Sequence, residues 1–256
     1  MNSGQRTNNL RILAVLPLAF SLLAGCAHFR RPPLSDHARF MEDSRRRFDD
    51  SRAPYQTTGR MQLSGPGYRH VFDFRLRWES PDRSRIDLTG PLGINLASAA
   101  IGDTLAWLSV PMAGLFLKGT VAMMDSEAVQ RLGFPADAFF KYLEGWPQLA
   151  AGVAPKTSVR KGLVEYRYDF NDTTFALFLD PSDGMPRKLS ASASGRAFLE
   201  ASFGDHRRFG TGLRPHRLTL GAPARELGLE VEFDELRQAK SFPPATWLPP
   251  ERPSAE

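Results

Sequence analysis

Between His70 and Glu79 the side chains alternate almost without a break. Phe72, Phe74, Leu76 and Trp78 fall on one side, and Asp73, Arg75, Arg77 and Glu79 on the other. A period of two marks a β-strand with one dry face and one wet face. A wet face belongs to antiparallel sheets, because strands covered on both sides read as continuous apolar runs. The pattern returns in Val164, Tyr166, Tyr168 and Phe170 against Glu165, Arg167 and Asp169. It returns again in Leu227, Leu229, Val231 and Phe233 against Glu230, Glu232 and Asp234. Shorter candidate strands lie at 59–64, 85–90, 94–99, 104–109, 174–179, 187–193, 197–203 and 215–220. Ser80-Pro81-Asp82, Gly102-Asp103 and Asp180-Pro181-Ser182-Asp183-Gly184 supply turns between them.

The period changes in two places. Residues 35–52 are polar with Phe40, Met41 and Phe48 at helical spacing, which predicts a short amphipathic helix capped by Ser35. Between 126 and 146, Ser126 caps a helix with Val129 and Leu132 inward. Pro135 and Ala136 then open a second helix with Phe139, Phe140 and Leu143 inward, stopped by Gly145. A sheet of ten or eleven strands, dry on one face, must curl or be covered. The expected fold is therefore α+β: a single curved antiparallel sheet forming an unclosed half-barrel, with helices covering its concave face. The proline-rich residues from Phe242 onward are expected to lie across the sheet or trail away.

The beginning of the chain reads as an export signal. Arg6 and Arg11 precede an apolar run from Ile12 to Leu23, broken only by Pro17 and Ser21. The run is shorter than the roughly 20 apolar residues that cross a bilayer. Leu23-Ala24-Gly25-Cys26 closes it and resembles the lipobox of bacterial lipoproteins, in which the cysteine is acylated and the signal is cut before it. Cys26 is the only cysteine, so the expected modification is diacylglycerol plus an N-acyl chain there, with no other cofactor. Ala27, where aspartate would favour the inner membrane, points to the outer membrane. The expected organisation is a signal at 1–25, an acylated tether at 26–34, the half-barrel at 35–242 and a tail at 243–256.

Composition excludes several functions. Without residues 1–25 the net charge falls from +5 to about +3, and no dense basic stretch carries interleaved aromatics, which argues against nucleic acid. Arg45-Arg46-Arg47 lies among Glu42, Asp43, Asp49 and Asp50 and reads as a solvated helix face. With its one cysteine taken by lipid, the chain forms no internal disulfide and has no thiol chemistry. His28, His37, His70, His206 and His216 lack metal-ligand spacing and are expected at the surface. No Gly-x-Ser-x-Gly elbow or phosphate-cradling loop occurs. An enzyme is the least favoured class.

Two segments do not fit a bland exterior. In Thr89-Gly90-Pro91-Leu92-Gly93 an apolar residue occupies a turn tip, where polar residues are usual, unless it folds back onto the core. Val110 to Gly119 is apolar yet broken by Pro111 and Gly114, and reads as a plug, a lid against lipid, or a buried hairpin.

A resemblance gathers these features. The lipobox, Tyr55-Gln56-Thr57-x-Gly59-Arg60, Phe74-x-x-x-Trp78-Glu79, Arg85-Ile86-Asp87-Leu88-Thr89-Gly90-Pro91-Leu92-Gly93 and Tyr142-Leu143-x-Gly145-Trp146-Pro147 together resemble the LolB family within the LolA/LolB-like lipoprotein localisation factors. Order and spacing hold from about Tyr55 to Pro147; the second half matches only in style. The resemblance implies an unclosed antiparallel barrel with helices across its mouth and a cavity for acyl chains. It also implies an outer-membrane location facing the periplasm, and a LolA-like carrier as partner. An exposed leucine that delivers cargo into the bilayer maps onto Leu92. Phe72, Phe74, Leu76, Trp78, Trp107 and Phe140 are the expected cavity lining, and a monomer is expected. The rival readings are a lipid or glycolipid carrier of the same fold and a structural envelope lipoprotein with a filled core.

Overall fold

The computed structural model describes residues 36–50, 52–80, 82–124, 140, 142–146, 154–210 and 212–250. They fall within one compact unit, Leu34–Glu256. The expected signal at 1–25, Cys26, the tether with His28, the Ser35 cap, and the helix positions Ser126, Val129, Leu132, Pro135, Ala136 and Phe139 lie outside the described residues.

The chain enters through helix α1 (His37–Asp50). Six strands follow: β1 (Tyr55–Gly65), β2 (Tyr68–Ser80), β3 (Arg83–Thr89), β4 (Asn95–Gly102), β5 (Leu105–Val110) and β6 (Leu115–Thr120). After a segment with helical residues at 121–124, 140, 142 and 143 come seven more. These are β7 (Lys156–Arg160), β8 (Leu163–Phe170), β9 (Thr173–Leu179), β10 (Pro186–Ala193), β11 (Arg196–Phe209), β12 (Gly212–Ala222) and β13 (Leu227–Gln238). All 13 belong to one sheet, in the order β6-β5-β4-β3-β2-β1-β13-β12-β11-β10-β9-β8-β7. All these strand pairings are antiparallel, and β6 and β7 are the edges of the sheet among the described residues.

The strand count exceeds the expected ten or eleven by the two edges. β7 (Lys-Thr-Ser-Val-Arg) shows no apolar alternation, because an edge strand needs little burial and is often charged. β6 lies inside the Pro/Gly-broken segment. Val110 to Gly119 is neither plug nor lid but a hairpin: β5, a 3₁₀ turn at Pro111–Ala113, and β6 pairing Val110 with Leu115.

Register fixes which side chains share a face. Phe74 stands opposite Gly59 on β1 and Leu88 on β3, and Gly59 stands opposite Phe233 on β13. The Phe74 and Phe233 rings meet edge-on at 5.6 Å across Gly59. A side chain at Gly59 would strike the Glu232 carbonyl and the Phe74 ring.

Helix α1 packs its His37, Phe40, Met41, Ser44 and Phe48 stripe toward this dry face. Two of those residues are polar, which the sequence pattern does not announce. The Tyr166 hydroxyl donates to the His37 carbonyl at 2.7 Å. Ser44 sits so close to the Asp180–Gly184 turn that a Cβ on Gly184, whose φ is +75°, would overlap the serine oxygen. The histidine expectation is corrected here. His37 is 1% exposed and His216 is buried, while His206 is partly buried; of the described histidines only His70 lies at the surface.

His206 gives the fold a pH dependence. Arg187 donates to its Nδ1, and also to Asp180 at 3.0 Å and Asp183 at 2.6 Å. A nitrogen that accepts from a guanidinium cannot carry a proton. Burial and then the Arg187 charge bring the His206 pKa down to about 4. An unfolded histidine titrates near 6.5. The stability tied to neutral His206 is therefore complete above pH ~6.5 and is lost as pH falls toward ~4. The loss should be on the order of 2 kcal/mol after allowance for partial exposure. Urea unfolding across that range should show this slope, and His206→Gln should flatten it.

Residues 242–248 lie on the wet face rather than trailing away. Trp107 Nε1 donates to the Trp247 carbonyl at 2.9 Å, Arg85 donates to the Thr246 carbonyl at 3.0 Å, and the Phe242 amide donates to Glu79 at 3.3 Å. Arg85 and Arg77 both hold the Asp87 carboxylate. Burial works against the charged form, but bonds from Arg85 and Ser98 and the nearby Arg77 outweigh it and hold Asp87 below the ordinary carboxylate range.

Candidate functional site

The dry face does not close on itself everywhere. Toward the end of the sheet where β1 passes to β2, β3 to β4 and β5 to β6, it encloses a cavity of about 370 Å³. Residues from nine consecutive strands, β6 through β1 to β11, line it. Nine strands at about 4.8 Å spacing would span nearly 40 Å if flat. One cavity of this size touches all of them only because the sheet curls around it. The open curved sheet is thus observed, with β6 and β7 unpaired to each other.

The lining is apolar. Leu63, Leu88, Ala97, Ala99, Leu108, Leu117 and Leu229 are among its walls, and among the described lining residues only Ser98 and the Trp107 indole carry a polar side-chain group. Register turns Ser98 away, opposite Asp87 on the wet face, where it shares hydrogen bonds with Asn95. Among the described residues, therefore, no polar side chain of the lining points inward by register to fix a ligand's orientation. The volume lies at the low end of the range of about 300–1,000 Å³ for small-molecule pockets. Val121, Met124 and Phe140, in helical residues outside the sheet, line it as well.

The six expected lining residues divide. Phe72 and Phe140 line the cavity. Phe74, Leu76 and Trp78 share the same face but do not line it. Further along β2 they are buried in the core that includes Phe48, Leu143 and Trp146. Trp78 is held by its Nε1, which donates to Glu144 at 2.7 Å, and it stacks on Tyr55. Trp107 also borders the cavity, while register places it opposite Ala100, which faces Arg85 on the wet side. There its ring lies under the Arg85 guanidinium, 5.3 Å away, and is covered by the C-terminal segment. The inward residues of β5 are Ala106 and Leu108.

Sequence reasoning missed most of the walls. The available signal was the run Ala97-Ser98-Ala99-Ala100, where small side chains leave space that large ones would fill.

Leu92 does not fold back. It is 98% exposed at the tip of the 3₁₀ turn Pro91–Gly93, between β3 and β4. Its φ of 62° is left-handed, a region that costs a non-glycine residue roughly 1–2 kcal/mol. Leu88 and Ala97, on the strands that carry this turn, line the cavity.

A different cluster occupies the other end. Glu144, 3% exposed, accepts from Trp78 and, at 3.1 Å, from Arg52. Arg214 donates to the Glu144 carbonyl at 3.3 Å and lies 4.0 Å over the Phe48 ring. Burial pulls the Arg214 guanidinium below its ordinary pKa. Among the described residues no group of three His, Cys, Asp or Glu is arranged to hold a metal.

No protein-family model matches the sequence. No curated protein matches it either. Solved structures do match in fold. A LolA superfamily protein from Nitrosomonas europaea superposes with a TM-score of 0.57 at 12% identity, over 82% of this chain and 97% of that one. A domain described as outer membrane lipoprotein-sorting, from Vibrio parahaemolyticus, gives 0.58 at 13%, over 80% and 93%. A DUF1329 family protein from Desulfovibrio piger gives 0.56 at 11%, over 81% and 95%. At these identities the likeness is one of fold.

Proposed function

We propose that this chain is an outer-membrane lipoprotein, anchored through acylated Cys26, that takes other lipoproteins from a LolA-like periplasmic carrier and inserts them in the outer membrane. The observation that carries the reading is the 370 Å³ cavity walled by apolar side chains. A shared fold with a LolA superfamily protein and a lipoprotein-sorting domain supports it. In this reading the helical segments cover the groove, and the acyl chains of the cargo enter it. Each methylene removed from water contributes about 0.8 kcal/mol. Transfer then needs no covalent chemistry. Cargo moves from carrier to cavity if the cavity buries more of its chains, and from cavity to bilayer because the bilayer buries more still. Leu92, held outward on strained backbone, is the residue that delivers.

A filled structural core is disfavoured by the cavity itself. A lipid or glycolipid carrier remains the second reading. Against a glycolipid, the described part of the lining offers no inward polar side chain to hold a sugar.

The test uses the chain from Ala27 onward, incubated with a LolA-type carrier loaded with a lipoprotein. The wild-type chain is expected to receive cargo and deposit it in liposomes. Leu92→Glu, at an exposed site, is expected to receive cargo as well but deposit at least tenfold less. No uptake by a correctly folded wild-type chain would sink the proposal.

A further inference from the structure

The turn between β5 and β6 repeats the design of the Leu92 turn. Pro111-Met112-Ala113 is a single 3₁₀ turn opened by proline and followed by left-handed Gly114, with φ of 60°. Met112 at its tip is 77% exposed. The two turns emerge from the same end of four consecutive strands, two strands apart, hence about 10 Å from each other. Ile94, at the foot of the first turn, is more than half exposed as well.

Turn geometry does not require these tips to be large and apolar. At the same end of the sheet, Pro223-Ala224-Arg225 between β12 and β13 has the same proline-opened form, with left-handed Glu226 after it. Its middle position holds alanine, and charged residues follow. Of the other three turns at this end, two place Asn171 and Ser194 at positive φ, and the β1–β2 turn places Gly67 there.

Charge separates the regions further. About a quarter of all residues, 24%, are charged. From Leu88 to Leu117, however, the only charged residue is Asp103, which lies in the β4–β5 turn at the opposite end. The stretch includes half of the edge strand β6, whose one charged residue, Lys118, comes just after it. Single exposed apolar residues are ordinary; two at neighbouring tips of a charge-free stretch, beside an apolar cavity, are not. A protein partner would be met by a contiguous patch with polar groups at its rim. Separate apolar prongs without charge suit hydrocarbon.

We propose that the β5–β6 turn is a second membrane-entering prong, with Met112 at its tip, that seats beside Leu92 in the hydrocarbon of a phospholipid bilayer. It deepens the delivery reading above and rests on it. Two prongs set the orientation of the sheet end over the bilayer, where one would let it pivot. The cavity walls at Leu88 and Ala97 then lie next to the lipid that receives the cargo.

The test is flotation of the chain from Ala27 onward with vesicles of phosphatidylcholine alone. Met112→Glu is expected to lower partitioning about tenfold, equivalent to about 1.4 kcal/mol, as is Leu92→Glu. The double variant should lower it further. Because the prongs are uncharged, binding should persist in high salt and should not require anionic lipid. Cargo uptake from the carrier should be unchanged in Met112→Glu. Wild-type partitioning by Met112→Glu, with loss in Leu92→Glu, would overturn the second prong and leave the Leu92 reading standing. Binding that vanishes in salt, or no vesicle binding by the wild type, would also overturn it. Vesicle binding that depends on Met112, with no cargo uptake by any variant, would uphold the prong and remove the lipoprotein-transfer function instead.

Discussion

Ala99→Phe is expected to abolish acyl-chain binding while leaving the fold intact. Ala99 stands on β4 opposite Ile86 on β3 and Leu108 on β5, and all three line the cavity. A phenyl ring there occupies space that an acyl chain would otherwise fill. The ring displaces about five methylenes, which at about 0.8 kcal/mol each removes about 4 kcal/mol, or several hundredfold in affinity. In a packed core the same substitution would destabilise by about 1–3 kcal/mol through strain. Here room exists, and the added apolar contact should leave the thermal midpoint unchanged or raised. Displacement of a fluorescent fatty acid reads the affinity, and a thermal scan reads the fold. Unchanged binding in a folded Ala99→Phe protein would show that the ligand site lies elsewhere. A fall in both binding and stability would show that the space is not available as drawn.

The choice of alanine rather than an aromatic carries the lesson of the sequence reading. Strand identity was legible because period-two alternation is imposed by the pleat itself. β2, β8 and β13 could be drawn residue by residue for that reason. Which strands form the edges was not legible, since an edge such as β7 buries too little to impose a pattern. The cavity was partly hidden for a related reason. Large aromatics announce the dry face, yet they fill it: Phe74, Leu76 and Trp78 are core. Space arises where residues are small, at Ala97 and Ala99, and small residues carry little periodic signal. Trp107 borders the cavity, but its ring does not reach into it by register. Its alternation partners in β5, Ala106 and Leu108, are the inward set, and the tryptophan is buried instead beneath a C-terminal segment that no local pattern connects to β5. Leu92 was legible as an anomaly because an apolar residue at a Gly-Pro turn has no local reason to be there, and only the structure decides between folded back and exposed. Glu144, Arg52 and Arg214 are far apart in sequence, so their meeting is a product of topology.

That meeting leads to an asymmetric pair of outcomes. Glu144→Ala is expected to cost about 3–5 kcal/mol, the range for removing one partner of a buried ion pair. The change takes the acceptor from Trp78 Nε1, which sits 2.7 Å from the carboxylate, and from Arg52 at 3.1 Å. Arg52 retains Asp49 at 3.3 Å, but the buried tryptophan N–H is left unsatisfied and Arg214 loses one of the negative charges that favour its charged form. Arg214→Met should behave differently. Its Nε and Nη2 are buried without a hydrogen-bond partner among the described residues, and burial already disfavours its charge. Methionine keeps an apolar stem over the Phe48 ring and removes the unmet donors, so stability should be unchanged or should rise by about 1 kcal/mol or more. Urea midpoints at constant slope measure both changes. Equal losses in the two variants would mean that Arg214 holds the cluster together and that its unmet donors find partners outside the described residues. Because the cluster lies away from the cavity walls, neither variant should alter acyl affinity in the protein that remains folded. A change in affinity there would instead tie the Glu144 cluster to the state of the cavity.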